Sequence, residues 1–542
     1  MEKQGKVYII GAGPGDPGLI TVKGLRCLKE ADVVVYDHLV SEEIIRQAKE
    51  SARFIYAGKK GGAHTLPQEE INRRLVEEAK QGHIVARVKG GDPFIFGRGG
   101  EEAETLAHAG IPFEVIPGVS SAVAVPAYAG IPLTHRGYTS TLAFVTGHED
   151  PTKDESDVDW ETLAGIGTLV FLMGVKNLRH ITSNLMVYGK EGDTPAALIR
   201  WGTTEDQETL TGVLSDIARK AEDRKFSPPA ILVVGGVVDL RSVLNWFETK
   251  PLFGKGIVIT RPEAQAEEFA GLLHAEGARV IHFPTIKIVA PEDYHDLDQA
   301  LGRLSHYQWI IFTSANGVSF FLHRLKELGR DIRDLKDIRI CTIGPATAAT
   351  IEKLGIRVDL VPDEFISEGV VKAFQELNIK ENRILLPRAE QARDVIPEGL
   401  MKLGAKVDVV TAYRTVNSGK DKAELEALIH EGKVDVITFT SPSTVTNFME
   451  IVGREYAIPP HVKIACIGPV TAAAAKKAGL PADIIQERYT IPGLVETLIN
   501  FFESEFGKAH KKTNRGKNIV NHMRGKATSH MSTDEIIKLT RK

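Results

Sequence analysis

Two glycine-rich segments hold the residue types with the clearest chemical use. Gly90 to Gly100 (GGDPFIFGRGG) sets five glycines, a proline and one acid around an apolar centre with no amphipathic period. Fixing such backbone is costly, because glycine loses more freedom on ordering than any other residue. The loop is therefore expected to bring backbone close to a ligand. A second stretch, Gly11-Ala-Gly-Pro-Gly-Asp-Pro-Gly18, follows the apolar run Val7–Ile10. Two such loops after two strands make one small-molecule site, although each glycine is equally what a plain structural turn needs.

Glycines at 11 and 13 after a strand, with Asp37 after the next, imitate a dinucleotide fingerprint. The third glycine of that pattern should stand at 16, where this chain has Asp16. Pro14 and Pro17 also remove N–H donors from the place where a phosphate-binding helix starts. A pyrophosphate would meet few donors and a carboxylate, so the dehydrogenase reading is set aside. From 254 to 503 no nucleophile, metal site or nucleotide loop stands out. Small hydroxyl residues recur there at strand ends: Thr313-Ser314, Thr440-Ser441-Pro-Ser443 and Gly468-Pro-Val-Thr471.

These residues need scaffolds, and the chain supplies them as α/β units. Short apolar runs alternate with amphipathic stretches almost throughout. Val33–Tyr36 and Ile84–Val88 read as strands. Pro67 opens a helix between them with Ile71, Leu75 and Ala79 as its apolar stripe. At 542 residues two to four domains are expected. The 43% hydrophobic and 25% charged composition and net charge of −4 are those of a soluble globular protein with no nucleic-acid-binding body. No early apolar run is long enough for a signal peptide or a membrane span. Three scattered cysteines, Cys27, Cys341 and Cys466, and histidines without ligand spacing suggest a reducing cytoplasm and no metal.

The second half repeats itself. Ile259-Thr-Arg261-Pro-Glu263 is echoed by Leu386-Pro-Arg388-Ala-Glu390, Gly277–Val280 by Gly404–Val407, and Phe312-Thr-Ser314 by Phe439-Thr-Ser441, all at an offset of 127. Cys341-Thr-Ile-Gly344-Pro345 matches Cys466-Ile-Gly468-Pro469 at about the same separation. A period this long predicts paired lobes and not a solenoid. The last segment, 506–542, carries ten Lys/Arg against two acids and is expected to be a disordered, solvated basic tail.

GAGPGDPGLIT at 11–21, VVYDHLV at 34–40, AGKKGG at 57–62, GGDPFIFGRGGEE at 90–102, IPGVSSA at 116–122, GIPLTHR at 130–136, VTGHE at 145–149, FLMGV at 171–175 and RWGTT at 200–204 together resemble the tetrapyrrole methylase family, specifically uroporphyrinogen-III C-methyltransferases. The likeness runs over about 245 residues. It implies two α/β subdomains with S-adenosyl-L-methionine in the cleft between them (S-adenosyl-L-homocysteine as product, no metal), and a homodimer. By motif, Pro14, Gly90, Gly91, Asp92, Ile95, Ser120, Ser121, Met173 and Gly202 would line the cofactor pocket. Ser120 and Ser121 stand where relatives often carry Thr and Ala. The resemblance makes Asp37 the proton acceptor and Lys59 the proton donor. An octacarboxylate substrate would meet Lys60, Arg98, His135 and Arg136.

VITRPEAQA at 258–266, FTSANGV at 312–318, TIGPATA at 342–348, AYRT at 412–415, FTSPSTV at 439–445 and CIGPVTAAA at 466–474 resemble uroporphyrinogen-III synthase. That family is two α/β lobes joined by a β-ladder. The implied organisation is 1–247 methyltransferase, 248–255 linker and 256–503 synthase, with lobe one at 256–288 and 416–503 and lobe two at 289–415. Tyr413 would assist the departing hydroxyl of hydroxymethylbilane, and Arg261, Ser314, Ser441 and Thr471 would bind its carboxylates. The combined expectation is a cytoplasmic bifunctional enzyme that makes uroporphyrinogen III and methylates it twice to precorrin-2, towards sirohaem and cobalamin. It would have tetrapyrroles as its partners, with no membrane and no nucleic acid. The alternative is a methyltransferase fused to a non-catalytic two-lobed tetrapyrrole-binding sensor.

Overall fold

The computed structural model describes residues 5–58, 66–147, 158–453 and 455–504. The chain divides into two compact units, Met1–Lys255 with Leu273–Arg279, and Gly256–Leu272 with Val280 onward.

The first unit contains β1 (Lys6–Gly11), β2 (Val33–Tyr36), β3 (Arg53–Tyr56), β4 (Ile84–Lys89) and β5 (Phe113–Ile116) in one parallel sheet of order β3-β2-β4-β1-β5. Its middle strands read as apolar runs because helices cover both faces. On one face the expected stripe Ile71, Leu75 and Ala79 of helix Gln68–Lys80 packs on Val7, Val33 and Val85. On the other, Cys27, Leu28 and Ile44 meet Ile10, Val34 and Val88. A second, mixed sheet follows: β6 (Leu142–Thr146), β7 (Thr168–Leu172), β8 (Pro195–Arg200), β9 (Glu208–Val213) and β10 (Ala230–Val234), ordered β6-β7-β10-β8-β9. Helix Ser121–Tyr128 lays Ala122 and Val125 on its β7, β8 and β10 residues.

The segment expected to link the halves is not an unpacked tether. Residues 248–254 are turns and a bend. Glu248 accepts hydrogen bonds from Gln207 and Thr209 (2.8 and 2.6 Å) and pairs with Arg241. Phe247, just before it, is buried between Tyr128 and Phe253.

The second unit holds β11 (Gly256–Ile259), β12 (Arg279–His282), β13 (Ile286–Val289), β14 (Trp309–Phe312), β15 (Arg339–Thr342), β16 (Arg383–Ala389), β17 (Lys406–Asn417), β18 (Val436–Phe439), β19 (Lys463–Cys466) and β20 (Ile484–Ile485). They form two sheets, β12-β11-β18-β19-β20 and β13-β17-β16-β14-β15. The repeat of 127 equates β11 with β16, β12 with the start of β17, and β14 with β18. Each sheet therefore takes two strands from one repeat and the rest from the other. Backbone pairing obeys the same rule. The Gly256 N–H donates to the Asp435 carboxylate and the Arg383 N–H to the Gln308 side chain, both at 2.8 Å.

From β15 and β19 onward the register is shorter. The Ile340 N–H donates to Asp359 (2.7 Å), and 124 residues on the Ile464 N–H donates to Asp483 (2.9 Å). Cys341 is thus the counterpart of Ala465, not of Cys466. All three cysteines are buried and free. The expected lobe boundaries, 288/289 and 415/416, fall inside β13 and β17, which pair antiparallel across those very positions (Ile288 with Thr415, Val289 with Arg414). Among the described residues no helix is long and apolar enough to cross a membrane. The tail, 506–542, lies outside the described residues.

Candidate functional site

In the first unit the loops after β1, β2, β4 and β5 leave the same edge of a parallel sheet, where ligands of such sheets bind. Backbone of the first and third loops touches: Gly13 and Gly91 exchange N–H to carbonyl bonds at 3.3 and 2.7 Å. A Cβ on Gly11 would lie 2.5 Å from the Gly118 nitrogen, and one on Gly118 would collide with the Gly91 carbonyl. Gly11 and Gly118 are thus glycines because three chain segments cross there, Gly91 supplying the third. A Gly118→Ala chain is expected to lose roughly 1–3 kcal/mol in the unfolding of its first unit, measured by denaturant titration.

Gly97 and Gly99 answer to the loop itself, since a Cβ on either would meet the Pro93 carbonyl at 2.7 or 2.5 Å. For these two glycines the turn alone is reason enough, the structural alternative named for each of them. Gly91 differs. At φ +68 its Cβ position meets only Ser121 N at 3.5 Å and Ser120 Cα at 4.0 Å, a cradle against the start of helix Ser121–Tyr128. Ser120 caps that helix through the Ala122 N–H. Asp92 accepts from the N–H groups of Phe94 (2.8 Å) and Gly118 (3.0 Å), so it fastens two of the loops. Gly90 packs on Leu39, and Pro14 and Ile95 are half-buried alongside.

The two subdomains meet through Asp16. Its N–H donates to Thr203 Oγ1 (3.0 Å), and its carboxylate accepts from Tyr128 Oη (2.6 Å) and Gly18 N (2.7 Å). The residue that spoils a dinucleotide fingerprint is here a clasp. Gly202 sits against Val125 in the facing turn. Nine described non-glycine residues have positive φ, and five of them (Phe96, Arg98, Met173, Trp201, Thr203) lie in these loops. Such strain collects where a site over-determines the backbone.

Asp37 follows β2, half-buried, with its Oδ1 accepting from Leu39 N at 3.1 Å. Behind it lies a cluster that sequence reasoning missed. Arg87 and Lys89, two apart on β4, both reach Glu102 Oε1, at 3.0 and 2.8 Å, and Gln68 adds a third bond at 3.2 Å. Glu102 is fully buried and both cations nearly so. The outer face of the Arg87 guanidinium lies 3.7 Å from Asp37 Oδ2. Burial alone would push the Glu102 carboxyl up, but Arg87 and Lys89 hold it below the usual carboxylate range. Burial, with Arg87 beside it, lowers Lys89. Arg98, His135 and Arg136 are exposed. Arg98 is held bidentately by Glu101 (2.8 and 2.7 Å), and His135 accepts from Gly137 N. Lys59 and Lys60 lie outside the described residues.

In the second unit the expected residues divide between the sheets. Tyr413 on β17 and Ser314 after β14 share a hydrogen bond of 3.0 Å between hydroxyls, with Phe320 stacked on the tyrosine ring. Ser314 also caps helix Ala315–Glu327 through Gly317 N. Ser441 caps helix Pro442–Val452 after β18, the same place in the other sheet. Arg261, half-buried after β11, donates to Gln265 (3.3 Å), and burial lowers its pKa. Arg388 is its repeat partner, bonded to Asp394 (2.6 Å) and the Arg393 carbonyl (3.0 Å). Thr471 is almost wholly buried, so its hydroxyl is not on the surface. A carboxylate at that helix start would meet backbone N–H. Among the described residues no His, Cys, Asp or Glu group could hold a metal ion.

A family model for tetrapyrrole (corrin/porphyrin) methylases matches residues 6–218, and one for uroporphyrinogen-III synthase HemD matches 267–496. The porphyrin biosynthesis protein HemD of Ruminiclostridium josui is 39% identical over 500 residues, covering 92% of this chain and 98% of that protein. The S-adenosyl-L-methionine-dependent uroporphyrinogen III methyltransferase of Methanosarcina barkeri is 56% identical over 242 residues, 44% of this chain and 95% of that one. The siroheme synthase of Pseudomonas fluorescens is 50% identical over 245 residues, 45% of this chain and 52% of that one.

Proposed function

The chain belongs to the family that fuses a tetrapyrrole methylase to a uroporphyrinogen-III synthase, and on that premise we propose which of its residues perform each step. It is a bifunctional enzyme: the second unit cyclises hydroxymethylbilane to uroporphyrinogen III, and the first methylates that product twice.

The cradle over Gly91, the strained turns at Met173 and Trp201–Thr203, and the start of the helix after Ser120 suit a zwitterionic amino acid joined to a nucleoside. Pro14, Gly90, Asp92, Ile95, Ser121 and Gly202 complete that lining. When bound, S-adenosylmethionine supplies an electrophilic methyl group to a pyrrole carbon. Asp37 takes the proton which that carbon must then lose. Arg87 is a positioning residue that orients the acceptor, and Glu102 fixes Arg87. The observation that carries this half is the 3.7 Å approach of Arg87 to Asp37 from a fully buried cluster. Lys59, Lys60, Arg98, His135 and Arg136 are assigned to proton donation and substrate carboxylates.

In the second unit the C–O bond of the hydroxymethyl group breaks, and the hydroxyl leaves as water with a proton. Tyr413 donates to that oxygen, and the paired Ser314 keeps the phenol aimed. The cation left behind is delocalised, so catalysis rests on how the chain is folded around it. Arg261, Ser441 and the helix start at Thr471 hold its acetate and propionate arms. Tyr413→Phe is expected to slow formation of isomer III roughly tenfold, the worth of one hydrogen bond, in a timed assay with separation of isomers.

We place the enzyme in a reducing cytoplasm, which its free, buried thiols suit, and on the sirohaem branch, with cobalamin precursors sharing the step. A homodimer formed through the first unit is supported by the exposed Val243 and Leu244 of helix Arg241–Leu244 and by Trp246 just after it; light scattering tests it. The deciding experiment feeds hydroxymethylbilane to the purified chain with and without S-adenosylmethionine. Isomer III without it and a dimethylated product with it support the assignment. Isomer I alone, from spontaneous closure, overturns the synthase role and leaves a sensor.

A further inference from the structure

We propose that Phe365 and Tyr489 are a matched pair of ring-binding residues, each holding a pyrrole of the linear tetrapyrrole against one sheet of the second unit; the proposal rests on the synthase reading given above. Gly344 and Gly468 are equivalent by the 124-residue register, and each precedes a helix that begins at a proline, Pro345–Glu352 and Pro469–Lys477. At φ −171 and −179 both glycines are extended, a conformation any residue adopts. Backbone therefore does not demand glycine at either place. Space favours it: a Cβ on Gly344 would crowd the Phe365 ring at 3.3 Å, and one on Gly468 would lie 2.6 Å from the Tyr489 ring, which would have to move. Both repeats have left out a side chain so that an aromatic ring can lie on the helix start.

The other side of each ring is in water. Phe365 is 57% and Tyr489 60% exposed. A lone exposed aromatic needs no explanation. Two at equivalent positions of divergent repeats, each with its own glycine seat, are not accounted for by chance exposure. Tyr489 is further held at φ +54, a conformation unfavourable for a bulky side chain and retained where function requires it. Neither helix start is capped by a side chain. An aromatic face next to uncapped first-turn N–H groups suits one kind of ligand part, a flat pyrrole bearing a carboxylate arm. Hydroxymethylbilane has four such rings on one flexible chain. Two seats, one per sheet, would hold two of them while the ends are brought together.

The test uses the full-length chain without S-adenosylmethionine and measures KM for hydroxymethylbilane. Tyr489→Gly removes the ring and relieves the positive φ, so its thermal midpoint should stay level or rise while KM increases about fivefold. Phe365→Ala should raise KM similarly, Tyr489→Phe should match the parent, and more isomer I should escape from the first two. Unchanged KM in both ring variants overturns the proposal. If Tyr413→Phe slows turnover in the same assay, the proposal fails alone; if it does not, the synthase site fails with it. A fall in thermal midpoint at constant KM also overturns it, because the rings would then be packing only.

Discussion

A chain carrying Asp37→Asn is expected to convert hydroxymethylbilane to uroporphyrinogen III at the parent rate and then to stop. The substitution keeps shape and the Leu39 N–H bond but removes the only proton acceptor assigned to the methylated carbon. General-base catalysis of this kind contributes about 10²–10⁴-fold, so methylation should fall by that factor, with little change in affinity for S-adenosylhomocysteine. Arg87→Lys should fall less, since an ammonium can neutralise Asp37 without bonding Glu102 through a second nitrogen. The readout is product mass over time. A normal dimethylated yield from Asp37→Asn would remove Asp37 from the mechanism.

Glu102→Gln is expected to be the most destabilising conservative change in the first unit. It leaves Arg87 and Lys89 buried side by side with no anion between them. Breaking a buried ion pair by deleting one partner costs about 3–5 kcal/mol. The pH dependence has a definite sign. The Glu102 carboxyl is lower in the folded chain than its unfolded value of about 4.3. Its stabilisation is therefore complete above that value and is lost as pH falls through the folded value. Denaturant titrations at falling pH should show the gap in stability between the parent and Glu102→Gln narrowing in that window, while carboxylates such as Glu114 weaken both chains alike. Synthase activity should survive in the variant.

How much of this was legible beforehand depended on whether a residue's job is local. The strands Val33–Tyr36 and Ile84–Val88 and the stripe Ile71, Leu75 and Ala79 follow from period alone, and the structure has them where expected. The glycine-rich loops were legible as a place, but not which glycine faces a ligand. That depends on Gly118 crossing Gly11 and Gly91, far apart in the chain. Arg87 and Lys89, in IVARVK, drew no reading beyond that of the strand itself. They are buried because β4 is central and because Glu102 reaches it from the helix Gly99–His108. The alternation of two cations in a strand flanked by apolar strands was the available signal, and only a partner acid on the next helix gives it meaning. Phe365 and Tyr489 escaped for a similar reason, since the repeat slips by three residues before reaching them and aligns Cys341 with the wrong neighbour.

The crossing of repeats in the second unit has an evolutionary and practical consequence. Neither repeat owns a complete sheet: residues 256–382 supply two strands of one and three of the other, and 383–504 supply the complement. That is the outcome when two identical polypeptides that had exchanged strands as an intertwined pair become joined end to end. Separate expression of 256–382 or 383–504 should yield insoluble chains with open sheet edges. Producing both fragments together should restore a folded heterodimer.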